Sequence, residues 1–202
     1  MKTKKYLFCL FVLIIGSCGP VLSLYPLYNV SDTIYEPKLS GSWADDANGI
    51  TIAFSRPEGE GKTYHVEYTT KDKDSKKVGK GIFSAYLVRL GNRLFLDVFP
   101  EEMPNGSLED PNNYKWYYNA FFLVPGHTFA VVDSIEPQLK MRITDSDKLK
   151  GYLEKEPNAV KHEIVTDSLV LTAKTAELQK FVIKYADNRD VFSTEMNLKR
   201  QK

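Results

Sequence analysis

Ile82-Phe83-Ser84-Ala85-Tyr86-Leu87-Val88-Arg89-Leu90-Gly91-Asn92-Arg93-Leu94-Phe95-Leu96-Asp97-Val98-Phe99 reads as two β-strands folded back on one another. Both arms are rich in β-branched and aromatic residues, and the Gly91-Asn92 pair between them suits the positive φ that two-residue hairpin loops demand. The same grammar extends outward in both directions. Upstream, Ile50, Ile52 and Phe54 share one face while Thr51, Ala53 and Ser55 share the other, and Tyr64, Val66 and Tyr68 alternate with His65, Glu67 and Thr69. Period-two alternation of this kind marks half-buried antiparallel strands. Downstream, segments 121–124, 127–135 and 138–143 continue the series, punctuated by Pro125-Gly126 and Pro137, and a last hairpin, 161–166 with 169–172, turns at Asp167-Ser168.

Two helices interrupt the strands. Asp145 can cap a short one that carries Leu149, Tyr152 and Leu153 on one face, is weakened by Gly151 and ends before Pro157. Thr175 can cap the second, whose Leu178, Phe181, Val182 and Tyr185 follow the spacing of an apolar helical stripe. The expected fold is therefore mainly β (α+β). It is an antiparallel barrel of about eight or nine strands with one or two short helices in the C-terminal half, and closure removes exposed edges.

The chain opens differently. Lys2, Lys4 and Lys5 precede an apolar run from Tyr6 to Ile15, and Gly16-Ser17-Cys18 closes it. That run is shorter than the roughly 20 apolar residues a membrane span needs, and the order of charge, apolar core and small residues is that of an export signal. Ile15-Gly16-Ser17-Cys18 resembles the lipobox of bacterial lipoproteins. The resemblance implies cleavage after Ser17, a thioether-linked diacylglycerol on Cys18 and acylation of the new amine, palmitate included. Several acyl chains make such an anchor stable, since each buried methylene adds about 0.8 kcal/mol. Cys9, the only other cysteine, lies in the segment that would be removed, so the mature chain is held by its core rather than by disulfides. Gly19 follows the cysteine, and resemblance to enterobacterial sorting, where an aspartate there signals inner-membrane retention, implies a place in the bacterial cell envelope, at the outer membrane.

The expected organisation is a signal peptide at 1–17, a lipidated tether at 18–40, a single barrel domain at 41–192 and a flexible polar tail at 193–202. Within the tether, 24–28 is too apolar for a free linker and is expected to pack along the domain or sit at the lipid interface. Gly41-Ser42-Trp43, at the start of the first barrel strand, resembles the G-x-W of lipocalins. There the tryptophan plugs one barrel end and the strands enclose an apolar ligand; the alternative is a tryptophan that simply nucleates the core.

Five stretches together are similar to an uncharacterised family of bacterial outer-membrane-type lipoproteins. These are Ser23-Leu24-Tyr25-Pro26-Leu27-Tyr28, Glu36-Pro37 with Gly41-Ser42-Trp43, 93–100, Gly126-His127-Thr128-Phe129, and 171–173 through 177–181. This second resemblance supports an anchored single domain and carries no catalytic residue across.

Candidate ligand-binding residues are Asp97, Trp43, Trp116 and Tyr118. Asp97 sits in an apolar strand with Phe95 and Phe99 on its face, and a buried carboxylate needs a partner. Arg89 or Arg93 can supply one structurally; otherwise the acid orients a ligand. Tyr114, Trp116, Tyr117 and Tyr118 line a pocket mouth, dip into lipid headgroups or start a strand. The three histidines, His65, His127 and His162, have acids nearby in sequence, but no H-E-x-x-H, G-x-S-x-G or P-loop pattern occurs, so neither an enzyme nor a metal or other cofactor is expected.

The formal net charge of +1 turns slightly negative once the leader lysines are removed, which argues against a nucleic-acid partner. The basic cluster within 71–80 is broken by aspartates and reads as a solvated hairpin tip, with contact to anionic lipid as its functional alternative. The expected function is a lipid-anchored, non-catalytic binding or accessory module, with the membrane as partner through acylated Cys18 and an apolar small molecule or an envelope protein as a further partner. The alternatives are a structural or assembly lipoprotein with a filled core and, behind it, a hydrolase using His and Asp residues. Cys18→Ser should abolish partitioning into the detergent phase of a cloud-point extraction of whole cells; retention there would remove the lipobox reading.

Overall fold

The computed structural model describes residues 21–56, 59, 61–71, 78–101 and 124–201. Among these, eight strands close into an antiparallel barrel: β3 (Gly41–Asp45), β4 (Ile50–Ser55), β5 (Thr63–Lys71), β6 (Val78–Leu90), β7 (Arg93–Pro100), β8 (Thr128–Ser134), β9 (Gln138–Ile143) and β12 (Thr194–Arg200). Neighbours in space are neighbours in sequence as far as β9. Then a long connection, containing α1 (Ser146–Lys155), β10 (His162–Val165), β11 (Ser168–Leu171) and α2 (Thr175–Tyr185), runs outside the barrel before β12 returns between β9 and β3. A short β2 (Thr33–Ile34) pairs with the end of β6 beyond the reach of β5, and β1 (Leu22–Ser23) pairs in parallel with β11 to make a three-stranded side sheet. The mainly β barrel with two short C-terminal helices is thus as the alternating pattern predicts.

The hairpin at the heart of the sequence turns at Gly91-Asn92, with Leu90 opposite Arg93 and Gly91 at φ +61°. A β-branched or bulky residue would be strained there, and the glycine is free of that penalty. The second predicted hairpin turns one residue earlier than expected. Thr166 and Asp167 occupy its two central positions with φ +47° and +65°, the double positive φ of a type I′ turn.

Two separate cores follow from the alternation. The lumen holds Trp43, Ile52, Phe54, Tyr64, Val66, Leu87, Leu96, Leu139 and Leu198 among others. The second core lies on the outer faces of β6, β7 and β8, where Val88, Leu90, Phe95, Phe129 and Val131 pack against Leu149 and Leu153 of α1, Leu178, Phe181 and Val182 of α2, and Leu169 and Leu171 of β11. Asp145 caps α1 as expected, accepting from the Lys148 N–H at 3.0 Å. Lys174 rather than Thr175 is the N-cap of α2, because the Thr175 hydroxyl is drawn away to donate to the Pro26 carbonyl at 2.8 Å.

A bidentate ion pair between β8 and β9 holds an arginine that also reaches the helical layer. Arg142 on β9 is buried and donates to both carboxylate oxygens of Asp133 at 2.6 Å, while its remaining nitrogen reaches the Ala186 carbonyl beyond α2. Those Arg142 hydrogen bonds hold the Asp133 carboxyl below the usual range.

Two expected boundaries are corrected. Residues 194–200 are not a flexible tail but β12, which places Met196 and Leu198 toward the lumen and is hydrogen-bonded on both sides. The domain also begins earlier than residue 41: within the segment 18–40, Val21 and Leu39 are buried in the two cores, and Leu27 packs into the domain as expected for 24–28. The expected strand at 121–124 falls almost wholly outside the described residues, as does the hairpin tip at 72–77. Since Leu198 is fully buried, Leu198→Ala should lower unfolding free energy by about 2–5 kcal/mol in urea titration. A frayed tail would show no change.

Candidate functional site

The barrel has two unlike ends. At the end where β3 begins and β12 finishes, Trp43 is fully buried and its indole N–H donates to the Leu39 carbonyl at 2.9 Å. The Arg200 guanidinium lies 4.2 Å over the Trp43 ring and donates to the carbonyls of Ser40, at 2.9 Å, and Lys38. Gly41 makes this approach possible, because a Cβ there would sit 2.6 Å from an Arg200 nitrogen, and its φ of +126° already favours glycine. Beside it, the Tyr64 hydroxyl donates to the Glu36 carbonyl at 3.0 Å and accepts the Glu36 N–H at 2.8 Å, with burial pushing its pKa up to about 12. Tyr35 stacks on Tyr64 at 5.5 Å, and Phe54 meets it edge-on at 6.2 Å. This end is plugged by hydrogen-bonded aromatics.

At the other end, where β5 runs toward β6 and β7 toward β8, the lumen is ringed by Ile50, Tyr68, Phe83, Val98, Ile143 and Met196. All six are only half-buried, although each packs on the lumen core. Apolar side chains at a barrel mouth are the chemistry of a site for an apolar ligand. Two grooves of about 450 and 440 Å³ among the described residues lie elsewhere, on the helical layer, and the first is lined by Lys161, Lys180, Phe181 and Tyr185.

Asp97 is fully buried, but on the outer face of β7 rather than in the lumen. One carboxylate oxygen accepts the Leu27 N–H at 2.6 Å and the other lies 2.7 Å from His127 Nδ1. Neither Arg89 nor Arg93 is its partner: Arg89 is exposed and Arg93 pairs with Asp187. The His127 ring packs on Phe99 at 4.6 Å, and its backbone exchanges two hydrogen bonds with Ser23, at 2.8 and 2.9 Å. Tyr28 packs on Tyr86 at 4.2 Å, and burial, the Tyr86 hydroxyl and Asp97 together push its phenol pKa well up. Asp97 and His127 therefore clip segment 23–28 across β7 and β8, aided by Gln179, whose amide donates to the Leu27 carbonyl at 2.9 Å. A ligand-orienting position inside the barrel is not where the structure puts this acid.

The remaining histidines have separate partners. His65 Nδ1 lies 2.6 Å from Glu101, and His162 Nδ1 lies 2.9 Å from the Val160 carbonyl. Among the described residues no three His, Cys, Asp or Glu side chains gather as a metal site. Trp116, Tyr118 and Cys18 lie outside the described residues. The mouth ring was missed as a set in the sequence, although its members stand at lumen positions of strands whose alternation is plain.

Asp97→Ala should leave the Leu27 N–H and the His127 ring without their partner. The expected cost is about 1–3 kcal/mol of stability in chemical denaturation, with faster proteolysis around residues 21–28 and no change in any ligand retained by the barrel.

Family models, curated proteins and solved structures, each searched with this chain, give no match.

Proposed function

We propose that the mature chain is a lipid-anchored lipoprotein of the bacterial cell envelope, held at the outer membrane through acylated Cys18, and that its barrel is a non-catalytic binding module for an apolar small molecule. The observation that carries the ligand reading is the asymmetry of the barrel. One end is sealed by Trp43 under Arg200, while the other leaves Ile50, Tyr68, Phe83, Val98, Ile143 and Met196 half-buried around its mouth. Side chains arranged this way recognise an acyl chain or a comparably apolar body by burial alone, with polar groups left at the rim. The anchor reading rests on the lipobox resemblance. Among the described residues no helix is long and apolar enough to cross a membrane.

A second reading has its own support. Trp43, Tyr64, Leu87, Leu139 and Leu198 are fully buried and fill the plugged half of the lumen. A barrel filled throughout in this manner would serve as a structural or assembly lipoprotein with an envelope protein as partner.

The two readings separate in native mass spectrometry of the mature chain carrying Cys18→Ser, incubated with a long-chain fatty acid. The binding module retains a releasable adduct, and Val98→Trp, which fills the mouth, removes it. A bare mass at saturating fatty acid would overturn the ligand reading in favour of the filled barrel.

A further inference from the structure

The side sheet carries exposed apolar side chains on the face turned away from the second core. Leu22 of β1 stands opposite Val170 of β11, which stands opposite Glu163 of β10. Because alternate strand residues point to opposite faces, Val21, Ser23, Leu169 and Leu171 take the inner face, where all four are buried. Leu22, Leu24, Val165 and Val170 take the outer one, with the exposed polar residues Glu163 and Ser168 along its β10–β11 side. There Leu24 is 48 % and Val165 57 % exposed, and Leu22 and Val170 are half-buried. Ser23 also bridges His127, which brings Gly126 against Leu22 and the 74 % exposed Val124 to the rim of the same area. Single exposed apolar residues are ordinary, whereas a run of them across one sheet face marks a contact surface.

The position of the anchor decides what covers it. Cys18 precedes Leu22 by four residues, and an extended chain advances at most about 3.6 Å per residue, so Leu22 lies within about 14 Å of the acylated residue. The polar layer on each side of a bilayer is only about 5–8 Å deep, and apolar faces of interfacial proteins settle about 5–10 Å into the headgroup and acyl boundary. A link this short keeps the side sheet within reach of the lipid surface, so the bilayer is the partner that the anchor itself brings to this face.

We propose that the outer face formed by Leu22, Leu24, Val165 and Val170 docks on the phospholipid bilayer that carries the Cys18 anchor. Docking is a second attachment besides the acyl chains, and it fixes the rotation of the barrel that the short link would otherwise leave free. The proposal rests on the reading of Cys18 as acylated.

The test uses acylated full-length mature protein, in which a blocked Cys18 leaves an engineered cysteine as the unique free thiol. Val165→Cys, Leu24→Cys and, as a reference, Ser55→Cys on β4 across the barrel are labelled with an environment-sensitive dye. They are then reconstituted in phosphatidylethanolamine–phosphatidylglycerol vesicles whose lipids are brominated near the top of the acyl chains. Labels at 165 and 24 should shift to the blue and lose most of their emission, while the label at 55 stays as in buffer. Protein that floats with the vesicles while all three labels behave alike overturns the docking and leaves the anchor intact. Protein that does not float at all overturns the acylation of Cys18 and the docking with it.

Discussion

Closure of the barrel by β12 is the constraint on which the rest of the structure depends. The last strand must return to lie between β9 and β3, with Leu198 opposite Leu139 and Arg200 opposite Trp43. The chain between β9 and β12 therefore has to travel outside the barrel, and everything it contains must find a surface to cover. That surface is the outer side of β6, β7 and β8, which presents Val88, Leu90, Phe95, Phe129 and Val131. A strand apolar on one face needs one core, and a strand apolar on both needs two. The helices and the side sheet are the second layer that such strands require.

The N-terminal segment is caught in that second layer. It enters as β1 beside β11, crosses β7 and β8 under the Asp97–His127 pair, and leaves through β2 along β6. A carboxyl group removed from water is tolerated only with its oxygens satisfied, and the two partners of Asp97 come from two different parts of the chain. Leu27 supplies a backbone N–H and His127 a ring nitrogen. The acid thus measures whether the segment is in register: a slip of one residue would move the Leu27 N–H out of reach and turn buried Val21 and Ser23 outward.

These dependencies explain what the sequence could and could not reveal. Strands β4 and β5 alternate between an apolar lumen face and a more polar outer face, so their type and orientation were legible from period two alone. In β7 the two sets, Leu94, Leu96 and Val98 against Phe95, Asp97 and Phe99, are both apolar apart from the acid, and nothing local says which set faces inward. The burial of Asp97 and its need for a partner were legible, whereas the partners themselves, the Leu27 N–H and His127 in place of Arg89 or Arg93, come from segments that strand alternation does not relate. Strand β12 was hidden by the opposite circumstance. Its outward residues, Glu195, Asn197 and Lys199, are exposed and polar, which leaves Met196 and Leu198 as a faint signal inside an apparently solvated tail. The N-cap of α2 was displaced by a partner distant in sequence, Pro26, which local propensity does not see. Gly41 and Trp43 were legible as a pair, but the reason for the glycine, the close passage of Arg200, required the closed barrel.

The asymmetry of the lumen is the feature that a purely structural role explains least well. At the plugged end every large polar atom that matters has a partner: the Trp43 indole, the Tyr64 hydroxyl and the Arg200 guanidinium are all hydrogen-bonded. At the mouth the same strands finish in six largely apolar side chains that are only partly buried. Apolar area left in water forgoes about 25 cal/mol for each Å², so such a ring lowers the stability of the isolated fold. Local departures from the rules of good packing are expected where a protein meets something else. A body that covers the ring would recover that free energy as affinity, and because the barrel wall is fixed by closure, little of it would be lost to reordering the site.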